Sequence, residues 1–363
     1  MSYVTDLEGK FAQAVGALYA IAMNSGTSTL HATLLGLGVG PGDEVIVPAL
    51  GPIMTSAAVI QAGAKPVFCD VEPLTFTMDS RGHLPKLIRP NTKAVISVSL
   101  YGLPSRLDEI EGICEDNNMY HILDNAQCFL STFKGRTTGD YAYVTSYSLE
   151  GSKHINTGEG GIVTTNFCIT AERIRRYANH GYLNIPAEGV ADSKRVPKRL
   201  LQQPGYKRHG VIGWNYRMPE IVAAQALPQV ERLTEIVNTR VQIAELIREV
   251  LKDYPFFSLQ VEPKDRTNSY WCVAAVYHEE ESGVSWSEFY DKVIEHGGEG
   301  IYSAWLPPYK EPAIERLGYV GDCPGAEYLA PRLMQIPNNY DLEEGQRQAD
   351  ILREVCEEIY HNG

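Results

Sequence analysis

Apolar and polar positions follow two patterns along the first half of the chain. Short apolar runs, typical of buried strands, occur at residues 44–48, 66–70, 94–99 and 120–124. Segments with apolar residues three and four positions apart, typical of helices, lie before the first strand at 27–37 and between later strands at 55–62 and 108–117. Strands that alternate with helices form a layered sheet whose strands run mostly parallel. We therefore predict an α/β fold for this part of the chain.

The pattern changes beyond residue 220. A long helical pattern covers 221–251, and Pro228 inside it predicts a kink or break. One further strand and two helices are predicted at 270–277, 286–296 and 342–360. We predict a large domain over 1–230 and a smaller α+β domain over 231–363.

Two further segments have a local interpretation. Residues 183–212 combine prolines with six basic side chains, which predicts a surface insertion or mobile loop. The glycine-rich run at 36–42 resembles a dinucleotide-binding fingerprint. Because it precedes a strand instead of following one, we interpret it as a helix end and turn.

Composition narrows the functional classes. The chain has 363 residues, with Asp+Glu 45 against Lys+Arg 32, a formal net charge of −13. An acidic chain whose basic residues are local is a poor nucleic-acid binder. The seven cysteines include no Cys-x-x-Cys pair, which fits a reducing cytoplasm better than a disulfide framework or a metal site. No apolar stretch is long enough to span a membrane. We expect a cytoplasmic enzyme without metal, nucleic acid or membrane.

Three polar segments carry the candidate chemistry. A small polar turn at 24–28 opens a helix, and its free N–H groups suit either a phosphate or an ordinary helix cap. Asp124 lies at the carboxyl end of a strand, where open α/β sheets bind ligands, and Gln127 follows it. Lys153 precedes a glycine-rich turn and another strand. Each alone has an ordinary structural explanation, but together they indicate a pyridoxal phosphate (PLP) site.

Longer runs carry a resemblance to a known family. The runs are NSGTSTLHATLLGLGVGPGDEVIVP, LDNAQ and SKHINTGEGGIVTTN, with RYANHG, GWNYRMPE and AGAKPVFCDVEP elsewhere. They resemble the DegT/DnrJ/EryC1/StrS sugar aminotransferases, which are PLP enzymes of fold type I. The resemblance covers nearly the whole chain. It implies a three-layer large domain with a mostly parallel seven-stranded sheet, a small C-terminal α+β domain, and a homodimer with shared active sites.

The resemblance also assigns roles to single residues. Lys153 falls at the lysine that bonds the cofactor and transfers the proton. Its amine reacts only when neutral, so we expect burial and cationic neighbours to lower its pKa. Asp124 falls at the acid that pairs with the pyridine nitrogen, and Gln127 at the amide that binds the ring's phenolic oxygen.

Other positions match the parts of the family site around the phosphate and the ring. Gly26, Thr27 and Ser148 correspond to the phosphate cradle. Asn215 corresponds to a residue that reaches the phosphate of the neighbouring subunit's cofactor. Pro52 stands in the segment where the family usually places an aromatic ring on the cofactor.

The activity implied is transfer of an amino group from L-glutamate, or L-glutamine, to a keto sugar in amino-sugar biosynthesis. The family's acceptors are mostly linked to a nucleotide. Three alternatives stay open: a keto-cyclitol aminotransferase of an aminoglycoside-type pathway, a PLP-dependent deoxysugar dehydratase, and a non-catalytic PLP-binding homologue. The phrase SKHINTGEGG resembles the dehydratases, but these carry histidine where this chain retains Lys153. The retained lysine favours transamination.

The acceptor site is weakly marked. The sequence offers five candidate contacts: His154, Tyr182, Lys207, Arg208 and Trp305. A histidine usual in the family is Phe129 here. The chain also begins well inside the family's usual alignment, so we expect the upstream helix and a glycine-containing segment beside the substrate site to be absent.

Overall fold

The computed structural model of the chain describes residues 2–187 and 198–362. Its first part contains nine strands. In chain order they are β1 (Tyr19–Met23), β2 (Glu44–Pro48), β3 (Lys65–Cys69), β4 (Thr92–Val98), β5 (Tyr120–Asp124), β6 (Thr132–Phe133), β7 (Arg136–Thr137), β8 (Val144–Ser148) and β9 (Gly161–Thr165). Strands β6 and β7 form a separate hairpin. The other seven form one sheet.

The large sheet has the order β1-β9-β8-β5-β4-β2-β3. Only β9 runs against the others, since both of its neighbours pair with it antiparallel and every remaining pair is parallel. The predicted α/β fold with a mostly parallel seven-stranded sheet is confirmed. Asp124 lies at the carboxyl end of β5, level with Val98 of β4 and Ser146 of β8. The register therefore brings the ends of three central strands together around Asp124.

Helices cover both faces of this sheet. They are α1 (Tyr3–Val15), α2 (Gly26–Gly36), α3 (Met54–Gln61), α4 (Leu84–Leu87), α5 (Leu107–Asp116), α6 (Cys168–Ala178), α7 (Lys198–Leu201) and α8 (Glu220–Glu231). Alternate residues of a strand point to opposite faces. Val45 and Val47 accordingly pack with α2, α3 and α6, whereas Ile46 packs with α5. Helices α1 and α8 cover the β1–β9 side of that second face. The result is the predicted three-layer arrangement.

A second sheet follows in the chain. Its strands are β10 (Phe257–Leu259), β11 (Cys272–Tyr277), β12 (Tyr302–Ser303) and β13 (Leu333–Pro337). The helices of this part of the chain are α9 (Leu233–Leu251), α10 (Glu279–Ser282), α11 (Trp286–Glu295), α12 (Pro312–Glu315), α13 (Pro324–Leu329) and α14 (Leu342–Asn362). The strands are antiparallel in the order β10-β11-β13-β12. Helices α9, α11 and α14 bury apolar side chains against this sheet. The division at residue 230 stays a prediction.

The break predicted at Pro228 lies beyond it, at Arg232, and a kink at Pro228 stays a prediction. Pro228 is inside α8, and the interruption comes at Arg232, which separates α8 from α9 with φ −105° and ψ 14°. A proline removes one backbone N–H. Here the helix continues past it for three residues and ends at Glu231.

The predicted insertion at 183–212 is described only in part, because residues 188–197 lie outside the described residues. At its base Tyr182 pairs with His209. Its mobility stays a prediction.

All seven cysteines are free, and only Cys168 is exposed. Within residues 2–187 and 198–362, no helix has both the length and the apolar character needed to cross a bilayer.

Candidate active site

Lys153 lies on the turn that connects β8 to β9. Its backbone N–H donates to the Glu150 carbonyl at 2.9 Å. The side chain is 12% exposed, and Nζ lies 3.9 Å from Glu150 Oε2 and 4.3 Å from the centre of the Trp271 ring. Burial lowers the pKa of Lys153 and the Arg240 cation lowers it further, while Glu150 and Asp124 act in the opposite direction. The predicted lowering is confirmed, and it favours a neutral amine.

Asp124 carries a buried carboxyl group that accepts two hydrogen bonds. Thr55, at the start of α3, donates its hydroxyl to Oδ2 at 3.2 Å, and the Ala126 N–H donates to Oδ1 at 3.0 Å. Burial raises the pKa of Asp124, and the two hydrogen bonds and the Lys153 charge act against the rise. A cation beside this carboxylate would hold it ionised.

Gln127 is oriented by a strained backbone turn. The Tyr101 N–H donates to Gln127 Oε1 at 2.8 Å, and Tyr101 itself has a φ of 63°. Both residues are buried. The bond fixes the carboxamide oxygen toward Tyr101, so the amide NH2 is turned away from it and is available as a donor.

The turn at 24–28 begins α2 beside the end of β8. Ser25 caps the helix, with its hydroxyl accepting from the Ser28 N–H at 3.1 Å. A Cβ at Gly26 would lie 2.9 Å from Ser148 Cβ, so the two residues are in direct contact. Thr27 lies in the first turn of α2. The helix N-terminus and Ser148 therefore form one concave surface of the kind that binds anions.

Asn215 lies on an extended segment that borders the same turn. The segment is held to the end of α6 by hydrogen bonds from the Trp214 and Tyr216 N–H groups, at 2.7 and 2.9 Å. The Tyr216 carbonyl in turn accepts from the Asn24 N–H at 2.9 Å. The side chain of Asn215 is exposed.

Pro52 is half-buried in the loop before α3. It precedes by three positions the Thr55 that binds Asp124. The loop and the acid are therefore linked through α3.

His154 lies in the protein core. Its Nε2 is 2.8 Å from the Ser269 carbonyl, and its ring packs against Phe129 with centroids 5.1 Å apart. Burial, followed by the Arg240 and Lys153 charges, holds the pKa of His154 well below its usual value. A neutral, enclosed histidine of this kind favours a packing role over a substrate contact.

Trp305 belongs to an aromatic stack that reaches the lysine. Its ring stacks on Trp271 with centroids 5.9 Å apart and planes 20° apart, and Trp271 contacts the Lys153 amine. Together with Ser152 and Gln335, the two indoles line a cavity of about 350 Å³. This candidate is therefore separated from the Lys153 amine by the Trp271 ring.

The remaining candidates group around the insertion. Tyr182 stacks on His209 with centroids 4.6 Å apart. Lys207 and Arg208 are exposed, and Arg208 donates to the Tyr206 carbonyl at 3.3 Å. These contacts lie inside or beside the segment 183–212.

Sequence reasoning missed four residues of the site: Thr55, Tyr101, Arg240 and Trp271. Trp271 was assigned only to the start of a predicted strand. Arg240 did leave a signal, because it occupies the apolar face of α9, in step with Val237 and Ile247. A cation on an apolar face calls for a buried partner.

The residues present fit PLP. A buried carboxylate suits a protonated ring nitrogen, a nearby amine of lowered pKa suits an aldehyde, and an oriented amide suits a phenolic oxygen. The tight contact of Gly26 with Ser148 leaves room for a phosphate only because no side chain is present there.

Comparisons with known proteins agree with this fit. The model of the DegT/DnrJ/EryC1/StrS aminotransferase family matches residues 2–356. GDP-perosamine synthase of Escherichia coli O157:H7 is 32% identical over 326 residues, which are 88% of this chain and 84% of the relative.

Two solved structures share the fold. An aminotransferase from Psychrobacter cryohalolentis has a TM-score of 0.87 at 25% identity, covering 99% of this chain and 92% of the other. DesV of S. venezuelae, solved with a ketimine intermediate, has a TM-score of 0.84 at 26% identity, covering 98% and 90%. The chain therefore belongs to the DegT/DnrJ/EryC1/StrS aminotransferase family and is a PLP-dependent transaminase.

Proposed function

We propose that this transaminase moves the amino group of L-glutamate, or L-glutamine, to a keto sugar linked to a nucleotide. The observation that carries the proposal is the buried Lys153 amine of lowered pKa, retained at the position where the family's dehydratases have histidine. A relative named GDP-perosamine synthase supports a nucleotide-linked acceptor. A GDP-linked keto sugar is the first acceptor to test.

When bound, PLP supplies an aldehyde that takes up the amino group and a ring that accepts the electrons released at the donor carbon. Lys153 bonds the cofactor, and its freed amine carries a proton from the donor's α-carbon and later returns one to the acceptor. The Asp124 carboxylate holds the proton on the ring nitrogen. The Gln127 amide donates to the phenolic oxygen.

The other assigned residues hold the cofactor in place. Gly26, Thr27 and Ser148 bind the phosphate through the N-terminus of α2 and the end of β8. Pro52 covers the ring by van der Waals contact in place of an aromatic side chain. Asn215 reaches the phosphate of a second copy of the chain, so the active unit is a homodimer with shared sites.

The acceptor sugar occupies the cavity lined by Trp271 and Trp305. The faces of Trp305 and Trp271 pack against the apolar faces of a sugar ring, while Gln335 and Ser152 bind hydroxyl groups. Tyr182, Lys207 and Arg208 lie on the insertion, where two cations and an aromatic ring suit the diphosphate and the base. The free cysteines support a cytoplasmic location.

The test begins with the lysine. Borohydride reduction of the PLP-loaded chain, followed by peptide mass spectrometry, is expected to find the cofactor's mass on Lys153. Lys153→Ala is expected to lose the visible absorbance of the lysine-bound cofactor, and the exposed Lys134→Ala control to keep it. Nucleotide-linked keto sugars and free keto-cyclitols are then compared as acceptors. Amination of the cyclitols alone would contradict the proposal.

A further inference from the structure

Arg240 is a buried cation bound by backbone carbonyls. It projects from α9 and is 6% exposed. Its guanidinium donates to the carbonyls of Ser152 and Lys153, both at 2.9 Å, and of Trp271 at 3.0 Å. Burial lowers the pKa of Arg240 to about 10. Arg240 is therefore a buried cation held by dipoles.

Such an arrangement is unfavourable unless several strong hydrogen bonds compensate for lost hydration. A neutral side chain would pack here without this penalty. The three carbonyls belong to distant parts of the chain: two to the turn after β8 and one to the residue before β11. Arg240 thus joins the large sheet to the small one at the turn that carries Lys153.

A second residue closes the same junction. Asn338, fully buried, donates its amide to the Arg240 carbonyl at 3.2 Å and to the Tyr270 carbonyl at 3.0 Å. The backbone of α9 is thereby fixed to the start of β11. Arg240 is therefore held at its backbone by Asn338 and at its guanidinium by the three carbonyls.

The Lys153 side chain depends on the same contacts. Its amine lies on the Trp271 ring, and the Trp271 indole N–H donates to Ser152 Oγ at 3.1 Å. Arg240 binds the backbone of all three of these residues. It therefore fixes both the turn from which the lysine extends and the ring against which its amine lies.

We propose that Arg240 is a positioning residue for Lys153: by binding three carbonyls it holds the lysine amine against Trp271. The Arg240 charge also acts to lower the pKa of the amine, in the same direction as burial. The proposal rests on the proposed role of Lys153. The charged and titratable groups around the amine are Glu150 on its own turn, Asp124 on β5, Cys272 on β11, Arg240 on α9 and the neighbouring His154. Among these, Arg240 is the permanent cation.

The test separates charge from position. Arg240→Lys keeps the charge but cannot bind three carbonyls in a fixed plane, whereas Arg240→Met removes both. Arg248→Met is the matched control, since Arg248 lies two turns further along α9 and binds Glu262 instead. Two properties of the full chain are measured. One is amide hydrogen exchange of the peptide 150–157 with PLP bound, and the other is the pH profile of Lys153 acylation after PLP is removed with hydroxylamine.

We expect exchange in 150–157 to be about tenfold faster in both Arg240 variants, because strong hydrogen bonds at the turn are lost. At fixed pH near 8, Lys153 acylation is expected to be about tenfold slower in Arg240→Met and unchanged in Arg240→Lys. The Arg248→Met control is expected to match the wild type in both measurements. If Arg240→Met does not fold, the exchange rate of Arg240→Lys decides the positioning role.

Unchanged exchange in the folded Arg240 variants would overturn the proposal. Faster exchange with an unaltered acylation profile in Arg240→Met would reduce Arg240 to a structural residue and overturn it as well. Neither measurement reads the absorbance of the lysine-bound cofactor. Failure of the proposed function would instead appear as a Lys153→Ala variant that keeps the cofactor's absorbance.

Discussion

Burial moves the pKa of Lys153 down and the pKa of Asp124 up. Both shifts favour the neutral form of the group, because a low-dielectric surrounding disfavours charge of either sign. The consequences for chemistry differ. A neutral lysine is ready to react, whereas a carboxyl group that must face a protonated ring needs that cation to keep it ionised.

This difference predicts a conflict between stability and activity at Asp124. Its folded pKa lies above the unfolded value, so the cost of ionising it appears as pH rises through the folded pKa. Asp124→Asn removes this cost, and the free energy of unfolding of the PLP-free chain is expected to rise by about 1 kcal/mol at pH 8. The gain should vanish below the pKa that Asp124 has in the unfolded chain. Urea denaturation at fixed protein concentration measures it.

The same variant is expected to lose activity by about a hundredfold or more, because an amide cannot hold the ring's proton. Asp253→Asn, at an exposed position, serves as the control and should change neither property. A fully active Asp124→Asn enzyme would contradict the role of this carboxylate.

The close contact between Gly26 and Ser148 leads to a second prediction for single residues. An added Cβ would lie 2.9 Å from Ser148 Cβ, so the phosphate cradle must open to accept it. Gly26→Ala is expected to weaken PLP binding at least about tenfold and to lower the free energy of unfolding by about 1 kcal/mol. Gly112→Ala is the control, since nothing lies within 4 Å of its added Cβ and alanine favours the helix there. Equal PLP affinity in the two variants would count against the cradle.

Single residues of the site were predictable where a local motif marks them. Lys153, Asp124 and Gln127 stand in short runs with a recognisable order of residue types. Arg240 and Trp271 were not predictable, because their contacts with the Lys153 turn join positions about 90 to 120 apart in sequence. Such contacts depend on how the two sheets pack together. The spacing of apolar residues along the chain gives no information about that packing.

At the scale of elements, most of the strands and helices that the apolar patterns predicted lie within a few residues of their predicted bounds, but β1, β8, β13 and α6 were not predicted. The strand predicted at 120–124 has those bounds, and the helix predicted at 27–37 begins one residue earlier because Ser25 provides its cap. Helix α1 was not assigned from sequence. The break near Pro228 was misplaced because a proline marks a weak point in a helix without fixing where it ends.

His121 links two central strands through its side chain. On β5, its Nε2 lies 2.7 Å from Ser97 Oγ of β4, and its Nδ1 lies 2.7 Å from the Tyr141 carbonyl. Burial lowers the pKa of His121 to about 4. The folded chain therefore keeps this histidine neutral, while the unfolded chain protonates it below about pH 6.5.

Stability from His121 is thus present above pH 6.5 and is lost as pH falls toward 4. As pH falls from 6.5 to 4, protonation of His121 in the unfolded chain should lower the free energy of unfolding by about 3 kcal/mol. His121→Gln is expected to show a pH dependence shallower by that amount in urea denaturation, whatever its stability at pH 7. The exposed His361→Gln should retain the wild-type slope. Parallel slopes for His121→Gln and wild type would contradict this assignment.

At the scale of the molecule, the site lies where the large sheet meets the elements of the small one. Asp124 and Ser148 end strands of the first sheet, whereas Trp271 and Trp305 belong to the second part of the chain. A chain with a net charge of −13 must bind an anionic cofactor and acceptor through local features. The N-terminus of α2 and the basic residues of the insertion are the features that we propose for this.

The proposed homodimer with shared sites predicts complementation between inactive subunits. Lys153→Ala and Asn215→Ala chains are each expected to have low activity. In a dimer of the two, one site carries both defects and the other carries none, so random mixing should restore about one quarter of wild-type sites. The measurement is the fraction of bound PLP that reacts with L-glutamate after the chains are unfolded and refolded together. A mixture no more active than the average of its parents would show that Asn215 acts within its own subunit.

The central claim is tested most directly by following the visible absorbance of the PLP-loaded chain through one cycle. L-glutamate is expected to abolish the absorbance of the lysine-bound cofactor, and a GDP-linked keto sugar to restore it. Lys153→Ala should show neither change. A wild-type spectrum that L-glutamate, L-glutamine and other amino donors all leave unaltered would contradict the account.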